Sequence, residues 1–409
     1  MDAVLRHDGV YPLMDEQSRA DYRRRVRALA KKRGEEPIQT AAFAVNSSLH
    51  ETLFPPRERS GRLYIALYGA LTLLLALAAA LWSGRPAAAA LLLLPLSELT
   101  RTVSNAVLLR FVHPHRLFRL ELEDGAGTDG RTVCAVFALL SDEADGAYYA
   151  RRLEQFRLAN RDCGDGLLFA LAADLPESKQ TPPPGGAAAL AAAAREIEAL
   201  NEKYGGGFFL LTRDSVFSRR DGLWRPYERK RGAMEALARL VCGKVSSLRC
   251  AAGDRRALHA NYILCLDADS FLTPGSARAL IGAALHPLNR PVVSDRRVVR
   301  GHGLIHPRMT TELECAMATD FARLHIGQGG TEPYGLLSPE LFFDLFGRGG
   351  FAGKGLIDAH AYLACLEGRI PDEHVLSHDT IEGAYLRGAY MGDVELTDTA
   401  PVNAAGWFR

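Results

Sequence analysis

Two aspartates separated by one residue follow an apolar run near the middle of the chain. The segment reads Tyr262-Ile-Leu-Cys-Leu-Asp267-Ala-Asp269. A buried strand that ends on two carboxylates brings oxygen ligands to one point, and Mg²⁺ and Mn²⁺ prefer oxygen ligands. An Asp-x-Asp pair taken alone also fits a solvated turn. Its position after a hydrophobic strand favours a metal site at Asp267 and Asp269, where the cation would offset charge on a departing diphosphate.

A second polar segment, Leu376-Ser-His378-Asp379-Thr-Ile-Glu382-Gly383, offers groups for proton transfer. A carboxylate in this segment is a candidate general base toward an acceptor hydroxyl, and His378 could orient it or contact phosphate. A helix cap is the alternative interpretation of Ser-His-Asp. Because the members of a hydrolase triad are rarely adjacent in sequence, the segment does not predict such a triad.

Two further segments have the composition of ligand-binding loops. Tyr227–Gly232 carries three basic residues before a predicted helix, which suits a diphosphate, although a solvated basic surface is equally compatible. Gly349–Asp358 is rich in glycine, which allows close backbone approach to a ligand, and Phe351 offers a face on which a sugar could stack. The glycines lack the spacing of a Walker phosphate loop, which disfavours ATP binding.

The elements around these segments alternate between short apolar runs and helical patterns. Helices are predicted between the apolar runs, including the Ala-rich segment Ala187–Tyr204. This rhythm predicts an α/β fold with a doubly wound, mostly parallel sheet and with ligands at the carboxyl ends of the strands. The predicted strands are Thr132–Leu140, Leu167–Ala172, Phe208–Thr212 and Tyr262–Leu266.

A long apolar segment lies upstream of these strands. Leu63–Trp82 contains no charged residue and has the length of a membrane-spanning helix, and Ser83–Pro86 then forms a predicted turn. The next apolar stretch, Ala87–Val112, contains Glu98 and Arg101 one turn apart, so it fits either a second spanning helix or an interfacial segment. Basic residues flank the outer ends of the pair. The positive-inside rule therefore predicts a transmembrane hairpin with both ends in the cytoplasm.

Composition excludes several other classes of protein. The 49 basic and 48 acidic residues give a net charge of +1, which argues against a nucleic-acid partner. The seven cysteines are scattered and form no Cys-x-x-Cys pair. That pattern indicates reduced thiols rather than a disulfide framework or a zinc site.

Taken together and in this order, the segments resemble the glycosyltransferase family 84 module of cyclic β-1,2-glucan synthases. The likeness extends over nearly the whole chain, and the combination is far more specific than any single motif. It also includes Gly9–Asp15, Phe169–Asp174, His286–Pro291 and Asp393–Leu396.

The resemblance implies a GT-A-like fold and an inverting transfer of glucose from UDP-glucose to a growing β-1,2-glucan chain. The expected cofactor is Mg²⁺ or Mn²⁺, and the expected partners are UDP-glucose, a glucan acceptor and a lipid membrane. The expected location is the inner membrane, multi-pass, with the catalytic domain in the cytoplasm. The expected divisions are a helical segment at 1–56, the transmembrane hairpin at 57–118 and the glycosyltransferase domain at 119–409.

The resemblance also implies roles for individual residues. Asp379 resembles the catalytic base, with Glu382 as the second choice. The residues implied to contact the donor are Asp174, Lys230, Arg231 and Asp267, and the metal pair is Asp267 and Asp269. The residues implied to form the acceptor-side loop are Phe351, Gly353 and Lys354.

Two other functions remain open from the sequence. Related processive synthases carry an Arg-Trp-containing motif after the base, and this sequence ends at Arg409 before such a motif. The alternative is therefore a non-catalytic or incomplete membrane subunit of a split glucan synthase, with the C-terminal part as a separate chain. An Asp-x-Asp phosphatase of the haloacid dehalogenase type is disfavoured, because its nucleophile usually lies on the first strand of the domain and here three predicted strands precede Asp267.

Overall fold

The computed structural model describes residues 1–55, 61–112, 114–325, 341–375, 377–399, 403 and 405. Leu376, the predicted boundary between 56 and 57, and the last four residues therefore lie outside the described residues. The described strands are β1 Thr132–Leu139, β2 Leu167–Asp174, β3 Phe208–Thr212, β4 Ser215–Ser218, β5 Leu223–Pro226, β6 Arg249–Ala252, β7 Tyr262–Asp267, β8 Ser270–Phe271, β9 Val292–Ser294, β10 Arg297–Arg300, β11 Leu304–Thr311, β12 Gly355–Asp358 and β13 Ala389–Asp398.

The helices lie before the sheet and between its strands. They are α1 Asp2–Leu5, α2 Glu16–Arg33, α3 Pro37–Ser47, α4 Leu49–Leu53, α5 Arg62–Ser83, α6 Pro86–Leu108, α7 Glu143–Ala159, α8 Gly186–Tyr204, α9 Arg229–Val241, α10 Ser276–Leu285, α11 Leu313–Met317, α12 Asp320–His325, α13 Leu341–Phe346, α14 Ala359–Leu366 and α15 Asp379–Leu386.

Nine strands form one sheet in the order β6-β3-β2-β1-β7-β12-β11-β13-β8. The pairs β3–β2, β2–β1, β1–β7 and β11–β13 are parallel, whereas β6, β12 and β8 run against their neighbours. Six of the nine strands therefore point the same way, and the predicted mostly parallel α/β fold is confirmed.

The sheet is buried on both faces, as the continuous apolar runs of its central strands require. Side chains of β1, β2 and β7 alternate between two hydrophobic cores, with Cys134 and Val136 in one core and Val133 and Ala135 in the other. Helices α7, α8 and α10 cover the first face, and α9 and α14 cover the second. Because helices cover both faces of the sheet, the ends of its strands are the part that ligands can reach.

The first 55 residues pack as helices around Tyr22, which is fully buried against Phe54, His50 and Phe118. An ion network then fastens this helical segment to the sheet. Asp15 caps α2 by accepting from the backbone N–H of Ser18, and it also accepts from Arg119 Nε at 2.8 Å.

The same network reaches the last strand of the chain. Arg116 and Arg119 both donate to Asp393 on β13, at 3.0 and 3.1 Å, while both also approach Asp15. The segment after the hairpin is therefore held between the N-terminal helices and the sheet.

Helices α5 and α6 form a hairpin joined at Gly84, whose left-handed φ of 65° ends α5. Tyr64 Oη donates to Asn105 Oδ1 at 2.8 Å across the pair. Within α6, Arg101 Nη2 donates to Glu98 Oε2 at 2.6 Å, so the pairing predicted one turn apart is present.

Among the described helices, α5 is the one long and apolar enough to cross a membrane by length and composition. Its apolar side chains are largely exposed, with Trp82 93% accessible. Helix α6 contains Pro95 and is less apolar, so the second span stays a prediction.

Removal of the Asp15 carboxylate should destabilise the fold, because it would leave α2 without its cap and Arg119 without its buried partner. We expect Asp15→Ala to cost about 2 kcal/mol, which lowers the midpoint of thermal unfolding of the detergent-purified chain. Glu51→Ala breaks an exposed pair with Arg300 and is the control, with an expected cost of at most about 0.5 kcal/mol. Equal midpoints for the two variants would contradict the proposed network.

Candidate functional site

The site is built around the carboxylate of Asp267, the last residue of β7, which contacts two lysines. Lys230, from the first turn of α9, contacts Oδ1, and Lys354 Nζ lies 3.3 Å from Oδ2. Burial by itself would raise the pKa of Asp267, but the two ammonium groups together lower it. The carboxylate is therefore ionised and already neutralised by protein cations.

The sheet topology explains why distant segments meet here. Strand β12 runs against β7, and its first residue Gly355 pairs with Cys265, so Lys354 enters the sheet beside the end of β7. Strand β13 ends at Asp398, which pairs with Ser270 of β8 and accepts from Lys354 Nζ at 2.7 Å. Lys354 thus links the ends of β7 and β13.

Sequence analysis did not identify Asp398, although it lies two residues beyond the segment that ends at Leu396. Its side chain is almost fully buried, and its Oδ1 has no hydrogen-bond partner among the described residues. The available signal was an acidic residue at the end of a strand, which is the pattern that identified Asp267.

Asp269 lies on the loop just after β7 and is exposed. Although the residue is exposed overall, surrounding protein atoms partly desolvate its carboxylate; this desolvation and repulsion from Asp398 and Asp267 raise the pKa of Asp269, and Lys354 offsets only part of this. A divalent cation would relieve that repulsion, and it would also provide a partner for the unpartnered oxygen of Asp398. The residues present therefore fit a divalent metal, with Asp269 as the least compensated carboxylate. Asp267 would become a ligand only if a lysine moved away from it.

Arg152 holds the loop that carries Asp269, and sequence analysis did not identify it. It is 3% exposed, comes from α7, and donates from its two Nη atoms to the carbonyls of Ala268 and Ser270 on either side of Asp269. Its guanidinium also lies 4.2 Å from the centre of the Phe271 ring. One of two adjacent arginines within a helical pattern gave no signal of this contact.

A second polar cluster forms where α15 begins. His378 Nδ1 lies 2.9 Å from Glu382 Oε1 and 3.5 Å from Asp379 Oδ1, and Tyr362 Oη donates to Glu382 at 3.1 Å. Burial lowers the pKa of His378, but the hydrogen bond and charge of Glu382 outweigh it, so the net shift is upward. Burial also raises the pKa of Asp379, although His378 and Lys230 oppose this.

The cluster of His378, Asp379 and Glu382 offers ligand atoms that all lie within 4.8 Å of one another, a geometry that a metal ion could occupy. The raised pKa of His378 keeps its imidazole protonated over more of the neutral range, and a protonated ring donates no lone pair. Glu382 is also 1% exposed and committed to Tyr362. Asp379, with 29% of its side chain exposed, is the accessible carboxylate.

Gly353 brings the two clusters together. Its carbonyl accepts from Lys230 Nζ at 2.6 Å. A Cβ at this position would lie 3.1 Å from that Nζ and 3.4 Å from both carboxylate oxygens of Asp379, and the φ of +75° favours glycine. Lys230 and Asp379 therefore converge over one residue without a side chain, beside Asp267.

Two of the predicted site residues have other partners. Asp174 receives two hydrogen bonds from Arg213, at 2.8 and 2.7 Å, and Arg213 also donates to the carbonyl of Tyr227. Arg231 contacts Glu228 at 2.6 Å rather than Asp267. Through Arg213, Asp174 therefore positions the loop that precedes α9. Asp174 ends β2, which lies two strands from β7, so it is about 10 Å from Asp267 at ordinary strand spacing.

Two expectations about the loops need correction. Helix α9 begins at Arg229, three residues earlier than Gly232, so Lys230 lies within the first turn and not before the helix. Phe351 is 2% exposed and packs in the second core beneath Gly383, so its ring offers no open face for a sugar. The apolar ring is more stable in the core than at the cleft.

Comparison with known proteins adds an independent finding. No protein-family model matches this sequence. Over 316 residues, 76% of the chain, it is 34% identical to the cyclic beta-(1,2)-glucan synthase NdvB of Rhizobium meliloti (strain 1021), and this alignment covers 11% of that protein. The chain therefore corresponds to about a tenth of its relative.

Among solved structures, the mannosyltransferase PcManGT from Pyrobaculum calidifontis, in complex with GDP-Man and Mn²⁺, shares 12% sequence identity. The match covers 72% of this chain and 61% of that one, with a TM-score of 0.30, which is too low to support an argument. The sequence relationship stands by itself and confirms the resemblance that the motifs indicated. Over three quarters of its length, this chain is a homologue of one segment of a cyclic beta-(1,2)-glucan synthase.

Proposed function

We propose that this chain is a metal-dependent, inverting glucosyltransferase that moves glucose from UDP-glucose to a growing β-1,2-glucan chain. One observation carries the proposal: Asp267, Asp269, Lys230 and Asp379 gather at the carboxyl end of β7. Anionic metal ligands, a cation for a diphosphate and an accessible carboxylate are the groups that glycosyl transfer requires. The relationship to a glucan synthase supports glucose and the β-1,2 linkage.

Lys230 and Asp269 act on the donor in this proposal. Lys230 exchanges its contact with Asp267 for a diphosphate oxygen, since phosphate binds an ammonium group at least as well as a carboxylate does. Asp269 would hold Mg²⁺ or Mn²⁺, and Asp267 would be the second ligand when Lys230 no longer contacts it. The metal supplies charge neutralisation for the leaving diphosphate.

Asp379 acts on the acceptor. Its carboxylate takes the proton of the attacking hydroxyl while that oxygen bonds to the anomeric carbon and UDP leaves from the opposite face. Glu382 has a different role, because Tyr362 and His378 already occupy it. It fixes His378 beside Asp379, so it positions the base.

We propose that α5 and α6 together anchor this domain in the inner membrane as a two-span hairpin. The apolar, exposed surface of α5 and the contact of Tyr64 with Asn105 support the arrangement. The basic residues at the outer ends support a cytoplasmic catalytic domain. The other candidate, an incomplete subunit that requires a separate C-terminal chain, would bind UDP-glucose without turning it over alone.

The metal role predicts the effect of a change at Asp269. In membranes supplied with UDP-glucose, Mn²⁺ and glucan acceptor, Asp269→Asn should reduce UDP release by about 100-fold or more, because the leaving group loses its metal. Asp214→Asn, at an exposed pair with Arg249, should leave the rate unchanged. Equal rates for wild type and Asp269→Asn would refute the assignment.

The assignment of the base predicts a difference between two carboxylates. Asp379→Asn should lower kcat by about 100-fold or more while UDP-glucose binding is retained. Glu382→Gln should lower kcat less, and it should lower the pKa of His378 toward its ordinary value, followed by NMR of the imidazole protons. If Glu382→Gln removed all activity and Asp379→Asn did not, the two roles would be reversed.

The contacts of Arg152 with the loop that carries Asp269 predict an effect on metal affinity. A lysine cannot reach both carbonyls that Arg152 contacts, so Arg152→Lys should raise the Mn²⁺ concentration for half-maximal activity about tenfold. Arg151→Lys, at the exposed neighbouring position, is the matched control. An unchanged Mn²⁺ dependence would show that Arg152 has only a structural role.

A further inference from the structure

A second cavity opens at the opposite end of β7 from the catalytic cluster. It has a volume of about 450 Å³ and is lined by Tyr262, the first residue of β7, and by Asp358, which pairs with Tyr262 across the sheet. Tyr262 and Asp267 are five residue steps apart along the strand, which is about 17 Å. The cavity is therefore distinct from the catalytic site, and its volume is in the range of small-ligand sites.

Tyr262 has an unused polar group in this cavity. The side chain is only 6% exposed, and its hydroxyl makes no hydrogen bond with any residue in the described part of the chain. The hydroxyl is not among the buried unpartnered atoms, so it is open to the cavity, where it can both donate and accept. A ligand that fills the cavity would supply both a donor and an acceptor to it.

The polar groups around Tyr262 include both signs of charge. Burial, together with the charges of Asp358 and Asp129, raises the pKa of Tyr262 to about 12, and Arg290 opposes that shift, so all three charged groups lie near the phenol. One oxygen of Asp358 caps α14 at Ala361, and burial raises the pKa of this carboxyl as well. Two carboxylates beside one arginine disfavour an anionic ligand such as phosphate, whereas hydroxyl groups satisfy carboxylates and guanidinium alike.

The rest of the lining is apolar. Leu285, Pro291, Val293 and two alanines of α14 face the same space as the polar groups. A ligand with hydroxyls along its edge and C–H groups on its face matches such a mixed wall. Sugars have this pattern, and aromatic or aliphatic side chains pack against their C–H faces while carboxylates and amides accept their hydroxyls.

Arg290 and Pro291 line the cavity and belong to a segment that the sequence analysis singled out. They end the segment His286–Pro291, which carries part of the resemblance to glucan synthases but contributes nothing to the catalytic cluster. The first part of that segment has a structural task, because Asn289 donates to the carbonyls of Phe118 and Ala283. The exposed Arg290 remains available to the cavity.

We propose that this cavity is an accessory binding site for a short neutral oligosaccharide of the glucan class. The identity of that sugar rests on the proposed function, since glucan is the acceptor and product assigned to the catalytic cluster. A site about 17 Å from the reacting atoms would retain a glucan chain on the enzyme without taking part in bond formation. Tyr262, Asp358 and Arg290 would supply the hydrogen bonds.

The experiment uses the full chain in detergent, a linear β-1,2-linked glucotriose as the probe, and neither donor nor metal. Calorimetry measures affinity, and hydrogen–deuterium exchange locates the bound sugar. We expect protection of peptides covering 288–294 and 358–364. Tyr262→Phe keeps the ring in the core but removes the hydroxyl, so it should weaken binding about fivefold. Tyr148→Phe, at an exposed tyrosine on α7, should not change it.

Several results would overturn the proposal: no binding of the trisaccharide, protection confined to peptides around 349–354 and 378–382, or equal affinity of Tyr262→Phe and wild type. UDP release from UDP-glucose is measured separately on the same preparation. Cavity protection without turnover would count against the proposed catalytic function alone. Turnover without cavity protection would count against the accessory site alone.

Discussion

The neutralisation of Asp267 by Lys230 and Lys354 is the interaction on which the site depends. A carboxylate at the end of a buried strand is costly unless it is paired, and here the two lysines come from α9 and from the loop before β12. Lys354 also pairs with Asp398 at the end of β13. Four parts of the chain are therefore held together at the carboxyl end of β7 by alternating charges, and a charged ligand that binds there would compete with these ion pairs.

In the proposed reaction, the same contacts would allow the cleft to hold both a metal and a diphosphate. A cation beside Asp269 and an anion beside Lys230 would replace the internal pair of Asp267 and Lys230 by two external ones. Net charge in the cleft would change little during that exchange. Arg152 and Gly353 would support this exchange without forming an ion pair themselves. Arg152 fixes the backbone around Asp269, and Gly353 leaves room for Lys230 and Asp379.

Local patterns in the sequence were sufficient for four strands and for the aspartates that end two of them. The apolar runs before Asp174 and Asp267 correspond to β2 and β7 because both strands are buried on two faces. The sequence did not show in which direction each side chain points. Lys230 and Arg231 are adjacent, but helical geometry directs Lys230 toward Asp267 and Arg231 toward Glu228. Asp398 depends on a partner 44 residues away and Arg152 on partners more than 100 residues away, and the local sequence around each residue does not identify such partners.

A structure of the chain with UDP and Mn²⁺ bound would test the central claim most directly. The account predicts Mn²⁺ bound by Asp269, the diphosphate in contact with Lys230, and the pair of Lys230 and Asp267 broken. A nucleotide bound elsewhere, with both lysines still on Asp267, would contradict it.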